Sequence, residues 1–418
     1  MSATMQNNKG LNVDAARRID RIVGIPLCFA GSVLRKVLAF FLPARGNDRP
    51  PKNILFIELT EMGSAILADP AMQKARRTLD ANLYFAIFRK NSPSLGLLGT
   101  VPHENIFRMR DSGILSVVAD ACRFFLWTRR NRIDTVIDLE LFSRFTAILT
   151  GFSGAVRRVG FHAFAAEGLY RGDFLTHKVL YNPHQHIAKN FVALVNALLA
   201  PRVERPYSKT VIPDAEIVLR KVEPTEQAKD AVRSRVRDAW PAYDPARHAL
   251  VLFNTDASDL IPLRRWPEKH YIQLARMVLD RYPRVVILLT GSEAERERKE
   301  RIVAALQSER CINFAGRTEI AELPALYASS AFMLTNDSGP AQFASITAMP
   351  VFVFFGPETP ALYGPLGVIT PIFAGMACSP CVSAANHRKS VCDNNLCLQT
   401  ISADKVHEVL QPTLDAFR

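Results

Sequence analysis

The sequence predicts an α/β protein made of two doubly wound halves. Short apolar runs alternate with helix-like stretches twice along the chain, a polar and Pro-punctuated region from about Pro201 to Arg247 separates the two series, and polar loops follow the apolar runs. Parallel strands buried on both faces read as continuous apolar runs, and helices between them supply the crossovers. With 418 residues, 48% of them hydrophobic, the chain has material for two cores at roughly 150 residues per domain.

The chain opens on a basic segment, 1–50. Its apolar stretch from Ile22 to Leu42 is cut by Arg35-Lys36 and flanked by Arg17, Arg18, Arg21, Arg45 and Arg49. The ~20 uninterrupted apolar residues of a bilayer span are not reached. An apolar face with a cationic fringe fits a helix lying in a membrane surface, or a helix docked on the protein's own core. The late start of the apolar block and the absence of a small-residue cleavage site argue against a signal peptide. The net charge of +12 suits an acidic partner. Nucleic acid is not expected, because the cations are dispersed and no nucleic-acid module is recognisable.

A first domain is expected over 51–200. Its strands are Ile54–Leu59, Leu83–Phe88, Asn105–Met109, Thr135–Leu139 and Arg158–Phe161, with helical spacing at Ala65–Thr78, Ile114–Thr128 and Arg144–Leu149. A helix from His186 to Leu199 closes this half. The connection, 201–247, carries one helix (Thr225 to Trp240). A second domain, 248–400, then has strands Ala249–Phe253, Val285–Thr290, Ile312–Phe314, Ala331–Thr335 and Val351–Phe355, and a C-terminal helix lies within 401–418.

Loops after strands of the second half carry the chemistry. Asn336-Asp337-Ser338-Gly339-Pro340 joins an apolar strand to a helix, which presents backbone N–H groups and a helix-dipole terminus to an anion; alone, such a turn is more often an ordinary N-cap with a permissive Gly. Asn254-Thr255-Asp256 is followed by Arg264-Arg265-Trp266-Pro267, whose cations can neutralise a diphosphate. Gly291-Ser292-Glu293-Ala294-Glu295 offers carboxylates for ribose hydroxyls, and Ala315-Gly316-Arg317-Thr318 and Phe355-Gly356-Pro357 complete the edge.

With these motifs in view, the chain resembles the heptosyltransferases of glycosyltransferase family 9, over about residues 53 to 412. The resemblance rests on Asn53-Ile54-Leu55-Phe56 leading to Met62-Gly63, Val136-Ile137-Asp138-Leu139 with Arg144 downstream, Arg157-Arg158-Val159-Gly160-Phe161, Arg264-Arg265-Trp266-Pro267, Asn336-Asp337-Ser338-Gly339-Pro340 and Phe355-Gly356-Pro357. It implies a GT-B fold, two Rossmann-like domains facing a central cleft, the first binding the acceptor and the second the donor. It further implies an inverting transfer of a sugar, heptose from ADP-heptose, to a lipopolysaccharide core or other lipid-linked saccharide, by an enzyme in the cytoplasm and peripheral on the inner membrane. Carried across by position, Thr255, Arg264, Asp337, Ser338, Gly339 and Pro340 meet the donor, Glu295 the nucleoside ribose, and Gly63 and Arg144 the acceptor side, with Arg157 and Arg158. No catalytic cofactor is implied.

The first loop departs from the family. The residue after Gly63, by resemblance an Asp acting as general base, is Ser64; Glu58 stands where a cation is common, and Gln342 replaces a His. A serine needs a base of its own to take a proton near neutral pH. Glu61, three residues earlier, is therefore expected as the replacement base, with Ser64 beside it. The alternative is a catalytically degenerate protein that binds a nucleotide sugar and scaffolds an envelope-glycan assembly.

Cys378, Cys381, Cys392 and Cys397 crowd into a loop over 378–397. Their spacing allows a tetrahedral structural zinc, with His387 as a further candidate ligand, or reduced thiols. Similar Cys-rich loops occur in relatives of the family the chain resembles, and the reducing cytoplasm disfavours disulfides. His184 and His186 are read as a helix cap or an acceptor contact.

Overall fold

The computed structural model describes residues 13–41, 49–164, 170–201, 204–258, 261–383, 386 and 388–418. The chain divides into two compact units, Met1–Val218 and Leu219–Arg418.

Unit one begins with helices α1 (Val13–Ile22) and α2 (Gly24–Phe41). There follow β1 (Asn53–Ile57), α3 (Met62–Leu67), α4 (Asp69–Leu79), β2 (Asn82–Phe88), α5 (Pro93–Leu98), β3 (Ile106–Met109), α6 (Ile114–Arg130), β4 (Thr135–Asp138), α7 (Arg144–Phe152), β5 (Arg157–Phe161), β6 (His177–Val179) and α8 (Ile187–Leu199). The six strands form one parallel sheet in the order β3-β2-β1-β4-β5-β6. Register places Ile57 beside Asp138, so the loops after β1 and β4 leave the sheet side by side where the strand order reverses. That reversal is where open α/β sheets bind ligands. The core packs Leu55, Ile57, Ala86, Phe107, Phe124 and Val136 together, with Phe107 and Phe124 edge-to-face at 5.5 Å.

Unit two holds α9 (Glu226–Ala239), β7 (Ala249–Asn254), α10 (Glu268–Arg281), β8 (Val285–Leu289), α11 (Arg296–Leu306), β9 (Cys311–Asn313), α12 (Leu323–Ala328), β10 (Phe332–Asn336), α13 (Gly339–Ala344), β11 (Val351–Phe355), α14 (Pro360–Tyr363), β12 (Ile369–Phe373), α15 (Leu396–Gln399) and α16 (Ala403–Leu414). Its parallel sheet runs β12-β11-β10-β7-β8-β9, the same order when read from the other edge. The reversal here lies between β7 and β10, which carry the Thr255 and Asp337 loops. Helix α16 packs on α10, and its Val406, Leu410 and Leu414 belong to the unit's main core.

Two strands exceed those the sequence predicts. β6 is a three-residue edge strand, His-Lys-Val, too short and too polar to stand out as an apolar run. β12 (Ile-Thr-Pro-Ile-Phe) is also an edge strand, mostly solvent-facing, which is the position that tolerates Pro371. The helix read in the connecting region is α9. It belongs to unit two, held by Arg235 across Glu322 and the Arg317 carbonyl.

Helix α2 lies along α7. Gly31 brings its backbone against the Phe152 and Phe174 rings, Ser32 Oγ accepts the Asp173 N–H at 2.7 Å, and Arg35 donates to the Gly151 carbonyl at 2.6 Å. Its other face exposes Leu27, Phe29, Val33, Leu34, Val37, Leu38, Phe40 and Phe41 to solvent. Contrary to the reading of the interrupted apolar stretch, the helical segment Asp14–Phe41 is long and apolar enough to cross a membrane by length and composition.

Candidate active site

In unit two the site is built around Trp266. The ring is 1% exposed, stacks on Phe354 at 4.5 Å, meets Tyr271 edge-on at 4.7 Å and donates Nε1–H to the Ile401 carbonyl at 2.8 Å. Asn336, the last residue of β10, accepts the Trp266 N–H at 2.8 Å and donates to the Asp256 carbonyl at 3.3 Å. These bonds tie the β7 loop, the Arg-Arg-Trp-Pro turn and the end of β10 into one body. The neighbouring arginines then diverge.

Arg264 turns toward the loops after β10 and β11. Its Nε lies 3.3 Å from Asp337 Oδ2 and its terminal nitrogen 3.7 Å from Glu358 Oε2. Glu358, two residues past Gly356, is 1% exposed. Burial, then repulsion from Asp337, pushes its carboxyl up to about 7 against the pull of Arg264 and Arg388. Beside it, Ser338 is the N-cap of α13, with Gly339 and Pro340 in the first turn; Pro340 brings no N–H and the Ala341 N–H bonds the Ser338 carbonyl at 3.2 Å, which leaves the Gly339 N–H at the opening of the turn. One guanidinium, one protonatable carboxyl and the N–H of Gly339 at the opening of the turn suit an anion at this edge.

Arg265 turns the other way. It donates to the Ala257 carbonyl at 2.7 Å and stands 3.6 Å from Asp256, which also takes Arg298 at 2.7 Å and the fully buried ammonium of Lys299. Lys299 also donates to Thr255 Oγ1 at 2.8 Å, so the Thr255 hydroxyl is held by the protein itself. A cavity of about 380 Å³ opens beside this cluster, lined by Thr255, Asp256, Arg265, Trp266, Arg298 and Asn395. Glu295 closes a capping box: its carboxylate accepts the Ser292 N–H at 2.8 Å, and Glu293 pairs with Arg296. Its carboxylate is thus already used by the chain at the position expected to meet ribose.

In unit one the loops after β1 and β4 meet. Ser64, 7% exposed, donates to Glu61 Oε2 at 2.8 Å, while Gly63 sits in the first turn of α3. Glu58, 5% exposed, and Glu140 both take Thr60 Oγ1, at 3.4 and 3.2 Å. Arg171 fastens the β4 loop, bonding Asp138 and donating to the carbonyls of Glu140 at 2.8 Å and Ser143 at 3.0 Å. Arg144, expected toward the acceptor, is instead turned to α1: its terminal nitrogen lies 3.2 Å from Asp20 Oδ2, and Asp20 Oδ1 accepts the N–H groups of Arg144 and Phe145 at 3.0 Å. The start of α7 is therefore an anchor for the N-terminal helices, because a buried guanidinium needs a carboxylate partner. Arg158 is likewise inward, donating to the Phe174 and Ala155 carbonyls.

The zinc expected at Cys378, Cys381, Cys392 and Cys397 does not fit. Among the described residues no group of three or more His, Cys, Asp and Glu side chains is arranged to hold a metal ion. Burial and the three neighbouring thiols push Cys397 up, so the sulfurs share a neighbourhood. They are nevertheless taken up singly: Cys381 by the Ser390 hydroxyl at 3.2 Å, Cys392 by the Asn394 carbonyl at 3.1 Å, and Cys397 against Gly356. His387 lies outside the described residues. His186 caps α8, its Nδ1 accepting the Ala188 N–H at 3.2 Å, and Gln342 donates to the Tyr363 carbonyl at 2.9 Å.

Sequence reasoning passed over Glu140, Arg171, Lys299 and Glu358. Glu140 and Glu358 stood one and three residues past predicted strands, at the carboxyl edge, and that position was the available signal.

Two Rossmann-like units of identical strand order, one of them with a cation-lined anion edge at its switch point, define the two-unit GT-B class of transferase folds. The family model for glycosyltransferase family 9 (heptosyltransferase) matches residues 123–391, well over half of the chain, and the protein belongs to that family. It is 35% identical to lipopolysaccharide heptosyltransferase 2 of Escherichia coli K12 over 108 residues, 25% of this chain and 30% of that protein. With lipooligosaccharide heptosyltransferase 2 of Haemophilus influenzae it shares 28% identity over 196 residues, 45% of this chain and 54% of that one. The chain thus spans about a third to a half of the length of the curated relatives it matches. The solved structure of E. coli ADP-heptose lps heptosyltransferase II superposes with a TM-score of 0.66 at 20% identity, covering 87% of this chain and 99% of that one, and shares its fold.

Proposed function

We propose that the protein is an inverting glycosyltransferase that moves heptose from ADP-heptose to a saccharide acceptor of the lipopolysaccharide core. Arg264 carries this reading: its guanidinium, 3.3 Å from Asp337 and so next to the Ser338-Gly339 turn, is placed to meet a diphosphate. As the glycosidic bond breaks, charge grows on the departing diphosphate, and preorganised donors stabilise it. Asp337 orients Arg264, Pro340 starts the helix behind the turn, and Thr255, held by Lys299, shapes the neighbouring loop. The loop with Glu61, Gly63 and Ser64 receives the acceptor hydroxyl.

The test is transfer from ADP-heptose to heptose-deficient core oligosaccharide, read by mass spectrometry with UDP- and GDP-sugars as controls. Product from ADP-heptose alone supports the assignment. ADP binding without product from any donor would favour the degenerate binding protein, for which Ser64 in place of a base is the specific observation.

The enzyme works at the cytoplasmic face of the inner membrane in this reading. The exposed apolar face of α2, with Arg17, Arg18, Arg21 and Lys36 exposed nearby, matches an anionic bilayer surface. The packing of the opposite face of α2 on α7 supports a helix lying along the surface in this reading.

A further inference from the structure

Four carboxylates gather where the strand order of unit one reverses: Glu58 and Glu61 after β1, and Asp138 and Glu140 at the end of β4. Their surroundings give them different roles. Asp138 is committed to Arg171, to the Thr146 hydroxyl at 3.2 Å and to the Glu140 N–H at 3.2 Å. Glu61 holds the Ser64 hydroxyl at the start of α3. Glu58 and Glu140 each accept a backbone N–H, from Thr60 at 3.3 Å and Leu59 at 3.1 Å, and meet each other. Both reach the one hydroxyl of Thr60, which has a single proton to give, and they are hydrogen-bonded together. Two carboxylates in mutual contact cannot both stay ionised, so the pair holds one proton between them.

The two ends of that pair are not equivalent. Glu58 is 5% exposed, while Glu140 is half-buried and its Oε1 accepts the Leu59 N–H at 3.1 Å as well as the Thr60 hydroxyl. Glu58 likewise accepts two donors, the Thr60 N–H at 3.3 Å and the Thr60 hydroxyl, so exposure decides: charge is better tolerated where water meets it, the proton rests on Glu58 and the negative charge on Glu140. We infer that Glu140, backed by protonated Glu58, is the general base that removes the acceptor's hydroxyl proton, in place of Glu61. This inference rests on the transferase reading.

The step balances without another reagent. The acceptor oxygen forms a bond to the anomeric carbon, the anomeric carbon–phosphate oxygen bond breaks, its electron pair leaves on the diphosphate, and the hydroxyl proton passes to a Glu140 oxygen and later to water. Burial, then the charges of Asp138 and Glu61, hold Glu140 up at about 7, against the pull of the Leu59 N–H and Arg171. A base poised there suits an enzyme working near neutral pH. Arg171 is a positioning residue: its two carbonyl bonds fix the backbone that carries Glu140.

The experiment compares full-length wild type with Glu140→Gln, Glu140→Asp, Glu58→Gln and Glu61→Gln. Folding and the donor site are checked by circular dichroism and by ADP calorimetry. Wild-type kcat/KM should fall on the acid side of about pH 7. Glu140→Gln should lose roughly 10²–10⁴ in kcat with ADP affinity unchanged, and Glu140→Asp should restore part of the rate together with the acid limb. Glu58→Gln should leave that limb near its wild-type position, because the amide N–H takes over as donor where the protonated carboxyl of Glu58 stood. Glu61→Gln removes one of the charges that raise Glu140, so it should move the acid limb to lower pH while some turnover remains. Wild-type-like turnover and an unshifted limb in Glu140→Gln, or abolition of turnover by Glu61→Gln alone, overturns the assignment of the base and leaves the transferase reading standing. A wild-type protein that binds ADP yet transfers from no nucleotide sugar overturns both.

Discussion

Glu358→Gln should stabilise the protein in alkaline solution and hardly at all in acid. The carboxyl is 1% exposed, 3.7 Å from Arg264 and repelled by Asp337, and it is raised from 4.5 to about 7. Between those two values the folded chain holds a proton that the unfolded chain has released. This group's support for the fold therefore falls as pH rises through that window, and above about 7 the whole penalty is in place. At 1.36 kcal/mol per unit the penalty is about 3 kcal/mol. The glutamine amide carries no charge at any pH, and its oxygen can keep the Thr359 N–H bond that Glu358 Oε1 now accepts at 3.3 Å. At roughly 2–4 °C per kcal/mol for a domain of this size, and discounting for relaxation, Tm should rise by roughly 5 °C at pH 8.5. At pH 5, where the folded wild type is already neutral here, the gain should shrink to under about 1 kcal/mol. Scanning calorimetry of both proteins at both pH values decides the matter. An equal Tm change at pH 5 and 8.5, or a loss at 8.5, would refute the claim that an ionised Glu358 strains the site.

Other consequences follow from the same contacts. Arg264→Ala removes the cation between two carboxylates and should weaken ADP binding by roughly 10- to 150-fold, the worth of a charge-assisted contact of about 1.5–3 kcal/mol; near-wild-type affinity in calorimetry would remove Arg264 from the donor site. Trp266→Ala should cost about 3–5 kcal/mol in urea unfolding, since the ring is buried among Tyr271 and Phe354 and holds the Ile401 carbonyl; a cost below about 1 kcal/mol would deny it the anchoring role. Phe29→Ser with Phe41→Ser should leave folding intact, both rings being exposed, while lowering flotation with anionic vesicles at least several-fold; unchanged flotation would detach α2 from the membrane surface.

The reach of sequence reasoning differs between elements for physical reasons. Runs such as Val285–Leu289 and Val351–Phe355 are buried at every position, and an interior parallel strand has no other way to be written, so these were legible. β6 and β12 escaped because an edge strand needs pairing on one side only and tolerates Lys178 or Pro371. Arg144 and Glu295 were read as ligand contacts from their place in a motif. Their partners within the chain carry no mark in the sequence: Asp20, far back in the N-terminal helix α1, takes the arginine, and the glutamate accepts the backbone N–H of Ser292. The Cys-rich loop has the spacing of a metal site, yet three of its sulfurs find separate partners.

The order of apolar runs, the Trp-Pro turn and the Asp-Ser-Gly loop determined by themselves that two Rossmann-like halves would form and that one would present an anion-binding edge, because strand burial and backbone N–H geometry are local properties of those residues. Only the tertiary structure decided which charges face which. Arg264 and Arg265 are neighbours in the chain yet pair with different carboxylates, Asp337 and Asp256, and Glu58 and Glu140, distant in the chain, come to share one hydroxyl because β1 and β4 are adjacent strands. Charge and proton placement depend on through-space distance and burial, and neither quantity is written in residue order.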